Sequence, residues 1–221
     1  MKNNLNQRDW FFLDSGVQDG SSNMACDNYL LDLVVNESIN NNLLRVYGWT
    51  VETLSLGYSQ NHPFSKISYP VVQRISGGQA VLHGTAENEL TYSVFVSYKE
   101  SAKKLYTEIS KVLISFLGSL GLDAKTGYSD ANYKNDFNCF NSKTCADIVI
   151  DDLKVIGSAQ ARKKNYIMQH GSIRLDIIRE LLKTDITFNL AKLKLKSAFE
   201  IVLGIKFMDY SLERSPLPTC L

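Results

Sequence analysis

Apolar residues recur at helical spacing at Leu105, Ile109, Val112, Leu113, Phe116 and Leu117. They form one stripe, which predicts a helix over residues 101–122 ending near Gly118 and Gly121. A second helical pattern covers residues 23–37, with Met24, Leu30, Leu31, Val34 and Val35 on it and Asn23 as its expected N-cap. Strand-like runs lie at residues 42–49, 53–61 and 69–76, the last with Pro70 at its start, where a missing N–H is tolerated. "QAVLHG" continues after two glycines, and "ELTYSVFVSY" (89–98) alternates most cleanly. Residues 128–145 are polar and rich in Asn and Asp, the signature of a loop or broken edge. Residues 146–176 read as a β-meander with turns at "DD" and "RKKN", and the segment that follows reads as helical.

Hairpin-like spacing outweighs βαβ spacing. The expected class is α+β, a mixed, largely antiparallel sheet with helices packed on it. No repeat or linker divides the chain, so residues 1–221 are expected to form one domain, with a motif-bearing core at about 23–180 and a helical segment at about 176–207.

Composition narrows the function by exclusion. The 24 basic and 23 acidic side chains leave a net charge of +1, so no nucleic-acid footprint is expected. No apolar run has the length of a membrane span and no secretory h-region opens the chain, so a cytoplasmic protein without membrane attachment is expected. Cys26, Cys139, Cys145 and Cys220 form no C-x-x-C pair and have no zinc-ligand spacing to histidine, so neither a metal site nor a disulfide framework is expected.

Three stretches carry candidate chemistry. In "QRISGGQAVLHG" (73–84), Gly77 and Gly78 interrupt a strand-like segment. The spacing matches no phosphate-binding glycine motif. Either the pair is a bulge, or it is a place where a ligand must approach the backbone, with Arg74 and His83 at its rim. In "KVIGSAQARKKNYIMQHGSI", Lys154 begins a strand and Gly157, Ser158 and Ala159 leave room above it. His170 and Gly171 fall at an expected turn, where a hydrogen-bonded histidine is the plain reading. Cys139 lies in a polar loop, unusual for a thiol that prefers burial, and Lys154 follows 15 positions later.

Together these segments resemble the biotin/lipoate A/B protein ligase family, which includes lipoate–protein ligases and octanoyl/lipoyl transferases. "RISGGQAVLHGTAENELTYSV" is similar to the family's Arg-x-[Ser/Thr]-Gly-Gly-x-Ala-Val-x-His…Leu-Thr-Tyr-Ser element. "KVIGSAQARKKNYIMQHGSIRLD" is similar to its Lys-x-x-Gly-Ser-Ala-Gln…Gln-His-Gly-Ser-Ile element, "NMACDNYLL" to its Met-Ala-x-Asp helix and "TLSLGYSQN" to its Ser-Leu-Gly strand.

The resemblance implies the biotin/lipoyl ligase catalytic-domain fold and a slot for an octanoyl or lipoyl chain. It implies that Arg74, Ser76, Gly77, Gly78, Ala80, His83, Gly157, Ser158, Ala159, Gln160, His170 and Gly171 bind the acyl group. "CFNSKTCAD" resembles the Cys-Phe-x-x-x-Ser-x-x-[Asp/Glu] element of cysteine-dependent octanoyltransferases, with Thr144 in place of Ser and Asp147 in the acidic place. Cys139 is then the nucleophile and Lys154 its partner. Cys145 is read as structural, and Cys26 and Cys220 as bystanders.

The implied reaction moves an octanoyl or lipoyl group from acyl carrier protein, through a Cys139 thioester, to the lysine of a lipoyl domain (glycine cleavage H protein or a 2-oxoacid dehydrogenase E2). It needs no cofactor or metal, and a monomer is expected. The alternatives are an ATP- and Mg²⁺-dependent lipoate–protein ligase and a lipoyl amidotransferase. A self-sufficient ligase is disfavoured because only about 45 residues follow the His170 motif, little room for an accessory domain. A non-catalytic lipoyl-binding protein fits poorly with both Cys139 and Lys154 present, and biotin transfer would require a different glycine loop. Gln73 and Gln79 depart from the family pattern, where Arg, or Arg or Gly, is common.

Overall fold

The computed structural model describes Leu5 and residues 9–61, 68–127, 144 and 146–210. Cys139, Cys145 and Cys220 lie outside them. The elements are β1 (Asp9–Gln18), α1 (Gly20–Val35), β2 (Leu43–Trp49), β3 (Thr53–Leu56), β4 (Val71–Gln73), β5 (Val81–His83), β6 (Glu89–Ser97), α2 (Ala102–Gly118), β7 (Lys125–Thr126), β8 (Ile148–Ile150), β9 (Leu153–Lys163), β10 (Tyr166–Arg174), α3 (Leu175–Leu182), α4 (Phe188–Leu203) and β11 (Lys206–Asp209).

Eight strands form one sheet in the order β11-β1-β2-β6-β10-β9-β8-β7, and β4-β3-β5 form a second. In the large sheet β1 runs parallel to β2 and β11, and the other pairs are antiparallel. The class is the expected α+β with a mixed, largely antiparallel sheet. Strands β1 and β11 were not anticipated: β1 is interrupted by polar residues, and β11 is four residues long.

The alternation of β6 has a structural meaning although almost every residue in it is buried. Leu90, Tyr92, Val94 and Val96 enter the core shared with α2 and α4. On the opposite face Phe95 packs with Leu30, Leu31 and Val34 of α1, and Ser93 donates to Asp27 of α1. A strand buried on both faces still reads as alternating when one face meets hydrocarbon and the other meets polar groups.

Helix α1 begins three residues earlier than Asn23. Asp19 is the N-cap, accepting the Ser22 N–H at 2.9 Å. Asn23 is instead buried inside the helix, donating to the Gly48 carbonyl at 3.0 Å and accepting from Arg45 at 2.8 Å. Ser101 and Thr187 cap α2 and α4. The expected turns between β8, β9 and β10 are present, with positive φ at Asp151, Asp152 and Lys164.

Two placements are corrected. Gly77 and Gly78 lie in the loop joining β4 to β5, not within a strand. Gly78 has φ +93°, and a Cβ on Gly57 would stand 2.0 Å from its carbonyl oxygen. The chain needs glycine there for a left-handed turn and for close passage of two loops. His170 and Gly171 lie in the middle of β10, not at a turn. The "QHG" tripeptide looks like punctuation, but its neighbours in the sheet demand small and polar groups at that place.

Candidate active site

Strands β6, β10 and β9, the loop after β4, and α1 enclose a cavity of about 340 Å³, at the lower end of the roughly 300–1,000 Å³ usual for small-molecule sites. Arg74, Gly77, Gly78, His83, Gly157, Ser158, Ala159, Gln160, His170 and Gly171 line it, so most of the residues singled out from the sequence meet at one place. Ser76 and Ala80 are buried behind the lining. Met24, Tyr47, Trp49, Ser55, Val81, Thr91, Tyr106, Thr144, Ala146 and Ser172 complete the walls. No periodicity marked these as site residues, because they come from eight different elements or loops.

Lys154 lies just behind the wall. Its side chain is 2% exposed, and its Nζ is 3.1 Å from Oδ1 of the equally buried Asp147. One extra residue of β9 opposite Ile148 and Val149 makes a bulge, which re-aims the strand's side chains. A Cβ on Gly157 would lie 3.0 Å from Lys154 Cε and 3.3 Å from Nζ. The missing side chain at 157 is therefore what brings the amine to the cavity. Thr144 is tied to the same carboxylate: its N–H donates to Asp147 Oδ2 at 2.7 Å and its hydroxyl at 3.1 Å. Burial pushes the Asp147 carboxyl above the ordinary range, further than Lys154 and Thr144 pull it down.

Two histidine–carboxylate pairs organise the opposite wall. His83 Nδ1 is 2.6 Å from Glu89 Oε1, and its Nε2 is 2.8 Å from Ser55 Oγ. Its ring stacks on Trp49 at 3.9 Å and 14°. His170 Nε2 is 2.6 Å from Ser76 Oγ, and its Nδ1 is 3.5 Å from Asp27 Oδ2. Burial lowers the His170 pKa despite the Asp27 hydrogen bond, with Arg74 and His83 adding to the depression. Burial opposes ionisation of Asp27 and Glu89, but Arg45 and His83 respectively hold the two carboxyls below their ordinary values.

Arg74 joins the two pairs. It donates to Ser55 Oγ and Ser76 Oγ at 3.1 and 3.2 Å, and to the carbonyls of Gly77 and Gln79 at 3.0 and 2.6 Å. Its guanidinium thus shapes the glycine loop and is more than a rim charge. Gln73 and Gln79 serve the same loop: Gln73 donates to the Tyr58 carbonyl at 2.9 Å, and Gln60 donates to Gln79 at 3.0 Å. Arg45, Glu89 and Asp27, the last the acidic residue of the Met-Ala-x-Asp element, carry this scaffold, and none was named as a site residue from the sequence. A charged residue inside an otherwise apolar run, as at Arg45 in "NLLRVYGW", was the available signal.

The arrangement offers an apolar slot floored by small residues, with a buried amine–carboxylate pair at one end. It fits a hydrocarbon chain bearing an acyl group to be transferred. Among the described residues no helix is long and apolar enough to cross a membrane.

Residues 19–199 match the model of the lipoyl protein ligase A/B catalytic domain. Octanoyltransferase LipM of Bacillus subtilis (strain 168) is 31% identical, with 96% of this chain and 93% of that protein covered. Octanoyltransferase LipM of Halalkalibacterium halodurans is 38% identical, over 78% of this chain and 68% of that protein. Protein Ta0514 of T. acidophilum with bound lipoic acid shares the fold at TM-score 0.72 and 20% identity, covering 91% of this chain and 89% of that one.

Proposed function

The chain belongs to the lipoyl protein ligase A/B catalytic-domain family, and on that premise we propose that it is an octanoyltransferase of protein lipoylation that works through a Cys139 thioester. The relatives named octanoyltransferase support the reaction. The observation that carries the cysteine route is the locking of Thr144 and Lys154 onto one buried Asp147 at the cavity wall. Cys139 stands five residues before Thr144 in the chain.

The donor is octanoyl-acyl carrier protein and the acceptor is a lipoyl domain, of the H-protein or E2 kind. In the first half, the Cys139 thiolate attacks the thioester carbonyl. A new C–S bond forms, and the carrier thiolate leaves and takes up a proton. In the second half, the acceptor lysine amine attacks the acyl-enzyme carbonyl, an amide forms and the Cys139 thiolate departs. The amine's surplus proton needs a receiver, and the Lys154–Asp147 pair places two proton-holding groups beside the slot. β8 pairs with β9 only as far as Ile156 among the described residues. Among the described residues, alternate N–H groups of Gly157 to Ala159 have no strand partner on that side and suit a developing oxyanion. The thioester is already activated, so this route calls for neither ATP nor a metal.

Intact-protein mass spectrometry after mixing with octanoyl-carrier protein, without ATP, tests this. A hydroxylamine-labile octanoyl adduct that is lost in Cys139→Ala is expected. Full transfer by Cys139→Ala would sink the cysteine route, and octanoyl- or lipoyl-adenylate formation on adding ATP would point to a ligase.

A further inference from the structure

The cavity floor is one row of residues across the sheet. Tyr47 of β2 pairs with Thr91 of β6, Thr91 with Ser172 of β10, and Ser172 with Gly157 of β9; all of them line the cavity. Three inter-strand spacings of about 4.8 Å set its ends about 14 Å apart.

The ends differ in kind. At β9, Gly157 to Gln160 are half-buried, and the Lys154 amine stands beside Gly157. At β2, Tyr47, Trp49 and Met24 are 0%, 1% and 8% exposed and close on one another as an apolar cluster. The polar handles of the two aromatics are engaged: Tyr47 donates to Asp27 at 3.1 Å and Trp49 to Thr91 at 2.9 Å. The cavity opens at its β9 end and at the exposed glycines Gly77 and Gly78, and the β2 end is blind.

We propose that Met24, backed by Tyr47 and Trp49, is the end stop that sets the length of the acyl chain. The inference rests on the octanoyl-transfer reading, which puts the carbonyl at the Lys154 end and the terminal methyl at β2. Met24 is the adjustable part of the wall. It comes from α1 rather than from the sheet, and its unbranched thioether has no hydrogen bond to hold it, whereas both aromatics are pinned. A wall of this kind selects in both directions. A chain one methylene short loses about fourfold, the ~0.8 kcal/mol gained by burying a CH₂. A longer chain must displace close-packed side chains.

The test compares rates of acyl-enzyme formation from hexanoyl-, octanoyl-, decanoyl- and dodecanoyl-carrier protein for wild type, Met24→Ala and Met24→Val. The wild-type rate is expected to fall beyond octanoyl. Met24→Ala should raise the decanoyl-to-octanoyl ratio tenfold or more, and Met24→Val less. An unchanged ratio in variants that melt cooperatively overturns the end stop, and Met24→Val decides alone if Met24→Ala does not fold. Calorimetric binding of the matching free fatty acids reads the same wall without chemistry. If no chain length acylates the wild type, the transfer reading has failed. The end stop then stands if Met24→Ala lengthens the preferred fatty acid, and falls if it does not.

Discussion

Lys154 and Asp147 are each 2% exposed and 3.1 Å apart. Breaking such a pair by removing one partner costs about 3–5 kcal/mol, because the other charge stays buried and uncompensated. Replacing both with apolar groups costs far less. Lys154→Met and Asp147→Asn should therefore each lower the melting temperature, and Lys154→Met/Asp147→Leu should recover much of it. Activity should separate from stability: all three variants lose acyl transfer, by about 10²–10⁴-fold if the pair receives the proton. A stable double variant that transfers at the wild-type rate would show the pair to be structural only. At the same scale, Asp147 explains why Thr144 is compatible with an element in which Ser is usual. The contact needs a hydroxyl and a backbone N–H, and threonine supplies both.

Strand β9 is the element on which the site turns. Its bulge aims Lys154 at the space left by Gly157, and its small residues floor the slot. Its partner β10 has its own glycine for a reason. A Cβ on Gly171 would stand 2.6 Å from the Gly157 carbonyl oxygen, 2.7 Å from Tyr92 Cε1 and 2.9 Å from Ser158 Oγ. Two of these neighbours cannot swing aside, since one is backbone and the other a fully buried ring. Tyr92 is itself held by Ser158 at 2.9 Å and Gln169 at 3.1 Å. Burial pushes its hydroxyl pKa up to about 12. Gly171→Ala should thus displace β9 against β10, costing about 1–3 kcal/mol and reducing acyl transfer more than Gly118→Ala, where nothing stands within 4 Å. Equal effects of the two alanines, by urea denaturation and by transfer rate, would count against this account.

Across the whole molecule, one buried polar network ties α1, the large sheet and the small sheet together. It runs from Arg45 through Asp27, His170 and Ser76 to Arg74, then through Ser55 and His83 to Glu89. Its response to acid follows from the directions of the shifts. His170 titrates below its ordinary value of 6.5 in the folded chain, so the unfolded chain binds that proton first. The stability of keeping it neutral is complete above that pH and is lost as pH falls below it. Asp27 and Glu89, held below 3.8 and 4.5, lose theirs only at lower pH still. Below about pH 6.5 the melting temperature should fall as pH falls, and His170→Asn should flatten that slope. A variant with the wild-type slope would move the acid sensitivity elsewhere.

Much of this protein is set locally. The stripe of α2, the paired turns around β9 and the glycine and small-residue motifs depend on neighbours in the chain, so periodicity and resemblance reach them. The resemblance also collected half of the cavity lining, because those residues sit in two continuous stretches. The rest depends on neighbours distant in sequence. Asn23 reads as a cap until Arg45 and Gly48 are brought against it. "QHG" reads as a turn until β6 and β9 close on either side. Met24, Tyr47 and Trp49 read as ordinary core until the register lays Tyr47 in line with Gly157 across four strands. Sequence by itself determined most of the helices and strands, though not β1, β11 or the middle of β10, and the chemistry carried by its motifs, since those are short-range preferences. Only the tertiary structure decided which carboxylate holds Lys154, which histidine is shifted against its charged form by burial, and which residues from distant segments share one cavity. Burial and charge pairing at those places arise from chain segments tens of residues apart.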